Sequence, residues 1–370
     1  MRLKELTLNH YRNYDALDLT FDTSLNIFLG ENAQGKTNLL ESIYVLAMTR
    51  SHRTSHEKEL IQWDAEGAKL QGTVEKRTAN LPLEIQITAK GRKTKVNHIE
   101  QKKLSAYIGQ LNVILFAPED LSLVKGSPQV RRRFLDMELG QVSPIYLYDL
   151  VQFQGVLKQR NQYLKMMNDD KEKKDELYLD ILTEQLAEFG AKVLVARLEF
   201  IEKLQGWANK LHTKISHGKE ELTLSYESSF PFEKEADFDE IREAYFEALM
   251  KNRKREIFKA NTFLGPHRDE LLFHVNGRNV AQFGSQGQQR TTALSVKLAE
   301  IDLMESVTGE YPLLLLDDVM SELDNERQLH LLEAIEGKTQ TFVTTTTLDH
   351  LKNLTVTPKI FHVENGTVEE

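Results

Sequence analysis

The stretch Gly30–Thr37, GENAQGKT, decides the reading of this chain. It fits the pattern GxxxxGK[ST]: two glycines let the backbone turn its N–H groups inward, the lysine reaches the outer phosphates, and the hydroxyl holds Mg²⁺. With glycine at ~7% of residues, a chance match in a chain this long has odds of about one in a hundred, so the flanks matter. Asn26-Ile27-Phe28-Leu29 enters the loop as a short apolar run, and Asn38 to Leu46 leaves it with helical spacing. Strand, loop and helix is the order a phosphate cradle requires. The helix N-terminus adds its dipole to the site. Gly30, Glu31, Asn32, Ala33, Gln34, Gly35, Lys36, Thr37 and Asn38 are therefore the expected phosphate-binding segment.

The rest of the composition narrows the class. At 370 residues and 40% hydrophobic, the chain can bury a large core, as two domains or as one with a big insertion. It contains no cysteine, which excludes disulfides and thiolate metal sites and suits a reducing cytosol. No stretch approaches the ~20 apolar residues of a membrane span, and the start lacks a signal-peptide core, so a soluble, cytoplasmic protein without a membrane partner is expected. The formal charge of −9 means that any nucleic-acid binding must come from local basic patches.

Taken in order, the alternation from Leu3 to Leu8 and from Leu17 to Phe21 predicts a β-hairpin turning through Tyr11-Arg12-Asn13-Tyr14. Arg50-Ser51-His52-Arg53 reads as a basic turn, either solvated or contacting phosphate. Strands are expected over 68–75 and 81–88, with Lys90 to Lys95 as the tip of their extension, and another over 112–116. From Ser127 to Phe258 the pattern is mostly helical. Leu194, Leu198, Ile201, Leu204, Ala208, Leu211 and Ile215 recur at spacings of three and four, the stripe of one long helix. The charge-dense run 168–175 reads as an exposed loop. This region also carries Arg131-Arg132-Arg133, of which at most two can share a helix face, and KNRKR from Lys251 to Arg255. Strand character returns at Leu271 to Val275, with a hairpin turn at Asn276-Gly277.

Three segments near the end carry chemistry. Leu313 to Leu316 is a fully apolar strand ending in Asp317-Asp318. An acid there sits beside the loop threonine at the carboxyl edge of a parallel sheet, so Asp317 joins Thr37 as a Mg²⁺ ligand. Asp318 is then the candidate general base for the attacking water. Gly284-Ser285-Gln286-Gly287-Gln288-Gln289-Arg290 opens a helix with a hydroxyl and free N–H groups, a second anion site that one nucleotide already held by Gly30–Thr37 does not need. A second copy of the chain would use it.

At these residues the sequence resembles the ABC-type ATPases. Ser285-x-Gly287 is similar to their signature, Ser321-Glu322-Leu323-Asp324 to their D-loop, and Leu313–Asp318 to their Walker B strand. The resemblance implies two chains sandwiching two ATP molecules, with Ser285, Gly287, Gln288, Arg290 and Asp324 serving the opposite nucleotide. GENAQGKTNLLE, Ser51-His52-Arg53-Thr54, Phe116 to Asp136, Gly265-Pro266-His267-Arg268-Asp269 and Gly284 to Glu300 resemble more closely the RecF family of bacterial recombination and replication-repair proteins. That resemblance implies an ATP-dependent DNA-binding homodimer at gapped or stalled replication sites, working with RecR and RecO to load RecA on single-stranded DNA and supporting the SOS response.

Three departures from the wider pattern stand out. Asp318 replaces the usual glutamate, which predicts slow hydrolysis, a weak DNA-stimulated ATPase that acts as a switch. Thr344 to Thr347 occupy the place of a γ-phosphate histidine, and no glutamine follows Phe116, where the order is Ala117-Pro118. By resemblance to related ATPases, Arg12 and Asn13 lie near the adenine, the alternative being a plain hairpin turn. Arg50, Arg53, Arg131, Arg132 and Arg133 are candidate DNA contacts. The fold class expected is α/β, a two-lobed ABC-type ATPase head over residues 1–120 and 260–370, with a mainly helical domain inserted over 121–259. Competing readings are a transporter's energy-coupling subunit, which the helical insertion disfavours; an SMC-type condensing protein, whose long arm this insertion is too short to form; and a phosphate-loop kinase, which explains neither Ser285–Arg290 nor Ser321–Asp324.

Overall fold

A computed structural model describes residues 1–169, 175–321, 323–348 and 357–370. The expected loop at 168–175 falls largely outside them. The chain opens with β1 (Arg2–Tyr11), β2 (Tyr14–Thr20), β3 (Leu25–Leu29), α1 (Lys36–Met48), β4 (Gly67–Glu75), β5 (Asn80–Thr88), β6 (Gly91–Val96), β7 (Ile99–Glu100) and β8 (Val113–Phe116). It continues through α2 (Leu121–Lys125), α3 (Pro128–Val142), α4 (Pro144–Asp169), α5 (Glu176–Ile215), β9 (Leu222–Glu227), α6 (Phe238–Lys259), β10 (Glu270–Val275), β11 (Arg278–Asn279) and α7 (Val280–Phe283). Helix α8 (Gln286–Thr308), β12 (Leu313–Asp317), α9 (Asn325–Ile335), β13 (Thr341–Thr345), β14 (Lys359–Glu364) and β15 (Thr367–Glu369) follow.

Two compact units result. One comprises Met1–Leu121, Lys210–Lys219 and Ala293–Glu370; the other comprises Ser122–Asn209 and Glu220–Thr292. Residues 260–292, expected with the ATPase part, therefore cluster with the second unit. The cause is β9, a strand inside the region read as helical: it pairs antiparallel with β10 from Leu222↔Val275 to Glu227↔Glu270 and draws that segment in. Its short alternation buries Leu222 and Leu224, a signal too brief to stand out among long helices.

The first unit holds two six-stranded sheets. One has the order β2-β1-β4-β5-β6-β7 and is antiparallel throughout. In the other, β15-β14-β3-β13-β12-β8, every pair is parallel except β14–β15. Helix α1 packs against both sheets, and every residue from Leu39 to Met48 is buried. A helix apolar nearly all round belongs between layers. Beneath it, β3, β13 and β14 each contribute a phenylalanine, and Phe28, Phe342 and Phe361 meet Phe21 with ring centroids 4.9–6.5 Å apart. At roughly 1.5–3 kcal/mol for each buried phenylalanine, this cluster fixes the strand from which the phosphate loop springs.

The run Lys90–Lys95 is a strand rather than an extended tip. Gly91–Val96 forms β6 on β5, and Arg92 is half-buried, donating to the Thr49 carbonyl and pairing with Glu57.

Helix α5 runs over 40 residues, and within the second unit its predicted stripe is buried at Leu194, Ile201, Leu204 and Ala208. The core is held by two polar networks that the apolar stripe does not foretell. Arg197 donates to Asp136, the Tyr146 and Tyr226 hydroxyls and the Pro266 carbonyl over 2.7–3.1 Å. Arg160 pairs with Glu256 at 2.7 Å and donates to Thr183 and Thr262. Buried guanidinium groups are tolerated because these donors are satisfied.

Candidate functional site

The phosphate loop joins β3 to α1 at the carboxyl edge of the parallel sheet. Gly35 caps α1 with φ 119°, and no side chain covers the first N–H groups of the helix. An L-residue rarely adopts that angle, and a Cβ there would stand 2.5 Å from Asn13 Nδ2 and 2.9 Å from the Tyr14 hydroxyl. Tyr14 donates to the Gly35 carbonyl at 3.0 Å, so the β1–β2 hairpin backs the loop. From the other side, Gln34 accepts from the backbone N–H of Gly366 at 3.2 Å and, through its side chain, from that of Asn365 at 2.8 Å. Lys36 curls within the loop, its ammonium 2.8 Å from the Gly30 carbonyl and 2.6 Å from that of Glu31. Burial lowers its pKa, against the opposing pull of Asp318 and Asp317. Glu31, Asn32 and Ala33 form the exposed outer turn.

The two acids sit where strand β12 ends. Thr37 donates to Asp317 Oδ1 at 3.0 Å, and Thr344 of β13 donates to the same oxygen at 2.8 Å. Strand β13 lies between β3 and β12 in the sheet, so Thr344 bridges the loop strand and the acid strand. The backbone N–H of Asp318 donates to the Thr344 hydroxyl at 2.9 Å. Asp318 itself is left-handed, φ 52°, a conformation that Asp tolerates better than most residues and that re-aims its carboxylate out of the strand direction. Among the described residues no group of three or more His, Cys, Asp or Glu is placed to hold a metal. A hydroxyl and one carboxylate, Thr37 and Asp317, are a donor set that would suit Mg²⁺.

Behind the loop lies a carboxylate that the motif reading missed. Glu41, fully buried on α1, accepts both Arg12 nitrogens at 2.9 Å, the Ser51 hydroxyl at 2.5 Å and the Tyr11 hydroxyl at 3.2 Å. Burial pushes Glu41 up, but the hydrogen bonds from Arg12 and Ser51 and the charges of Arg12 and Arg53 outweigh it and hold the carboxyl below its usual range. An acid in the middle of an otherwise apolar helical run was the available signal. Arg12 is thus committed to Glu41, whereas Asn13 is exposed and accepts from Asn38 at 2.8 Å. Arg53 donates to that same Asn38 at 2.8 Å. Arg50 is exposed.

The second unit carries the signature segment. Ser285 precedes α8 and forms a reciprocal cap: its hydroxyl accepts from the Gln288 N–H at 3.2 Å, and the Gln288 side chain accepts from the Ser285 N–H at 3.0 Å. Ser285 and Arg290 are exposed, Gly287 half-buried, and Gln288 donates to Glu220 at 2.9 Å. In the first unit, Asp324 caps α9 by accepting from the Arg327 N–H at 2.9 Å; Glu322 lies outside the described residues.

The arginine triplet divides as its helix geometry demands. Arg131 is buried, holds Glu270 at 2.7 and 3.0 Å and donates to the carbonyls of Leu123, Val124 and Gly126. Against its expected part in DNA contact, the guanidinium is engaged in closing α2 and anchoring β10. Arg132 is half-buried on the Asp269 carbonyl, and only Arg133 is exposed.

The family model described as the RecF/RecN/SMC N terminal domain matches residues 2–369. The DNA replication and repair protein RecF of Enterococcus faecalis is 72% identical over all of this chain and 99% of its own length. The protein of the same description from Bacillus cereus is 56% identical, over all of this chain and 98% of its own.

The chain belongs to the RecF family.

A solved structure described as the recombination mediator protein RecF with ATP in the RecFOR pathway superposes with TM-score 0.92 at 35% identity, covering 99% of this chain and 96% of that one. The head of an SMC protein bound to the C-terminal winged-helix domain of ScpA aligns with TM-score 0.58 at 14% identity, covering 100% and 96%, a likeness of fold alone. The RecF-like and SMC-like ABC ATPase head, with its mixed sheets and helical regions, is the architecture expected from the sequence. The family membership disfavours the transporter reading, and among the described residues no helix is long and apolar enough to cross a membrane.

Proposed function

We propose that the chain is an ATP-driven DNA-binding switch of recombinational repair and replication-fork maintenance. The hydrogen bond from Thr37 to Asp317 carries the reading, because it brings the hydroxyl and the carboxylate that a Mg²⁺–nucleotide needs to one point. Lys36 neutralises the outer phosphates, Thr37 and Asp317 hold Mg²⁺, and Asp318 orients the attacking water. Ser285, Gly287, Gln288, Arg290 and Asp324 of one copy complete the nucleotide site of a second, so ATP closes a head-to-head dimer. Asn13 is the base-side contact, with Arg12 setting its hairpin through Glu41.

Residues 1–120 with the end of the chain act as the ATPase domain and the helical insertion as an accessory domain. Hydrolysis is slow because an aspartate serves where a longer glutamate would reach further. The closed dimer holds gapped DNA in the cytoplasm, engages RecR and, through it, RecO and RecA, and supports the SOS response; hydrolysis releases it. Family membership and the ATP-bound relative support this reading.

The test is binding of a labelled gapped duplex to unaltered chain and to Asp318→Asn, with and without ATP and Mg²⁺, while the mass of the complex is recorded. Binding that needs ATP, has a dimer mass and outlasts the unaltered chain in Asp318→Asn is the expected result. Binding indifferent to nucleotide would remove the switch.

A further inference from the structure

The end of helix α6 carries a charge pattern that the nucleotide site does not use. From Lys251 to Lys259 the chain holds five cations and one acid, Glu256, which is buried against Arg160. Arg253 is half-buried, pairing with Asp180 at 2.7 Å and Glu176 at 3.5 Å. The other four, Lys251, Lys254, Arg255 and Lys259, are exposed, and among the described residues none of them makes an ion pair. Spacings of three, four and eight place Lys251, Lys254, Arg255 and Lys259 along one side of the helix over about 12 Å, at 1.5 Å per residue. Phe258 stands among them 71% exposed, with the Lys259 ammonium 5.5 Å from its ring centre. Its neighbour Ile257 turns the other way, onto the cluster of Leu164, Met167 and Leu179.

In a chain of net charge −9, four exposed cations without an ion pair among the described residues, of which Arg255 also lies 5.0 Å from the ring centre of Phe263, stand around a solvated aromatic ring and call for an anionic partner with apolar faces. We propose that this face of α6 binds the strand of a single-stranded DNA segment, the four cations on successive phosphates and Phe258 stacked on a base. A single strand laid along this row of about 12 Å would present successive phosphates to the cations, the electrostatic track on which such surfaces hold the backbone. Stacking on an exposed aromatic side chain is how sequence-tolerant single-strand surfaces add affinity to charge. An anionic membrane would also attract the cations, but the described apolar exposure on this row is one ring rather than the continuous apolar face an interfacial helix buries. The inference rests on the DNA-binding reading above and assigns it a surface.

The experiment uses full-length chain with ATP and Mg²⁺ and follows the anisotropy of a labelled oligothymidine and of a labelled gapped duplex across a salt series. Replacing Lys251, Lys254, Arg255 and Lys259 by Gln should leave ATP binding intact and reduce the salt slope by about 3, at ~0.7 for each phosphate no longer neutralised. Phe258→Ala should weaken oligothymidine binding by about 5- to 150-fold while leaving the salt slope unchanged. If the unaltered chain binds DNA and the fourfold variant binds it equally well with the same slope, this surface is refuted and the DNA-binding reading stands. If the unaltered chain binds no DNA, both fall. Loss of binding to phosphatidylglycerol vesicles with DNA binding preserved would assign the row to a membrane and overturn the proposal.

Discussion

Thr37 and Asp317 share a hydrogen bond of 3.0 Å although 280 residues separate them in the chain. The contact exists because β13 is inserted between β3 and β12 and sets both strands in parallel register. Asp317→Asn should keep the fold and the Thr344 contact while losing the charge proposed above to hold Mg²⁺. Calorimetry should find ATP affinity at least tenfold weaker with Mg²⁺ and nearly unchanged with EDTA. Equal loss in both would mean that Asp317 supports the loop instead.

Glu41→Ala should destabilise the first unit by about 3–5 kcal/mol, the usual cost of breaking a buried ion pair and stranding its partner. Arg12, Ser51 and Tyr11 would each lose an acceptor. Because the folded carboxyl titrates below its unfolded value, its contribution is present above the ordinary carboxylate range and fades as pH falls through the folded pKa. Denaturant unfolding of the variant should show a smaller stability loss at pH 3 than at pH 7.

His267 should make stability fall with pH in the same direction, but because a buried neutral imidazole resists protonation rather than because a paired carboxylate loses its charge. Burial lowers its pKa from 6.5 to about 4, so between these values the unfolded chain binds the proton and the folded chain does not. Stability is therefore lost as pH drops from about 6.5 toward 4. In His267→Gln the melting temperature should fall by a few degrees less across that window; an unaltered slope would show that other groups dominate.

Arg131→Gln should lower the melting temperature and leave the salt dependence of DNA binding where it was. The guanidinium is buried against Glu270 and three carbonyls and reaches no solvent phosphate. A reduced salt slope without loss of stability would restore it as a DNA contact.

Ser285→Arg and Lys36→Ala should each abolish ATP-dependent dimerisation alone. Mixed, they rebuild one intact interface of two, and about a quarter to a half of activity should return. No recovery in the mixture would count against a site shared between copies.

Much of the site could be read in advance because its parts are local. The phosphate loop, the apolar strand ending in Asp317-Asp318 and the capped start of α8 at Ser285 each fit within a dozen residues, where spacing alone specifies geometry. What escaped reading depends on partners distant in sequence. Arg131 looks the same in sequence as Arg133, and only Glu270, far along the chain, decides that the first is buried. Thr344 looks like one threonine among four until β13 sets it against Asp317. Strand β9 hid among helices because its partner β10 lies beyond the whole of α6.

The strand order has a consequence for synthesis. β3, which launches the phosphate loop, has as its two sheet neighbours β13 and β14, made about 310 and 330 residues later. At ~5–20 residues per second, the nascent chain exposes an apolar, unpaired β3 for roughly 15–60 s. During that interval Gln34 also lacks the Asn365 and Gly366 N–H groups that brace it. A ribosome stalled before these strands emerge would carry a phosphate loop with neither sheet neighbour beside it, so the loop's bracing is completed only by the last part of the chain to be made.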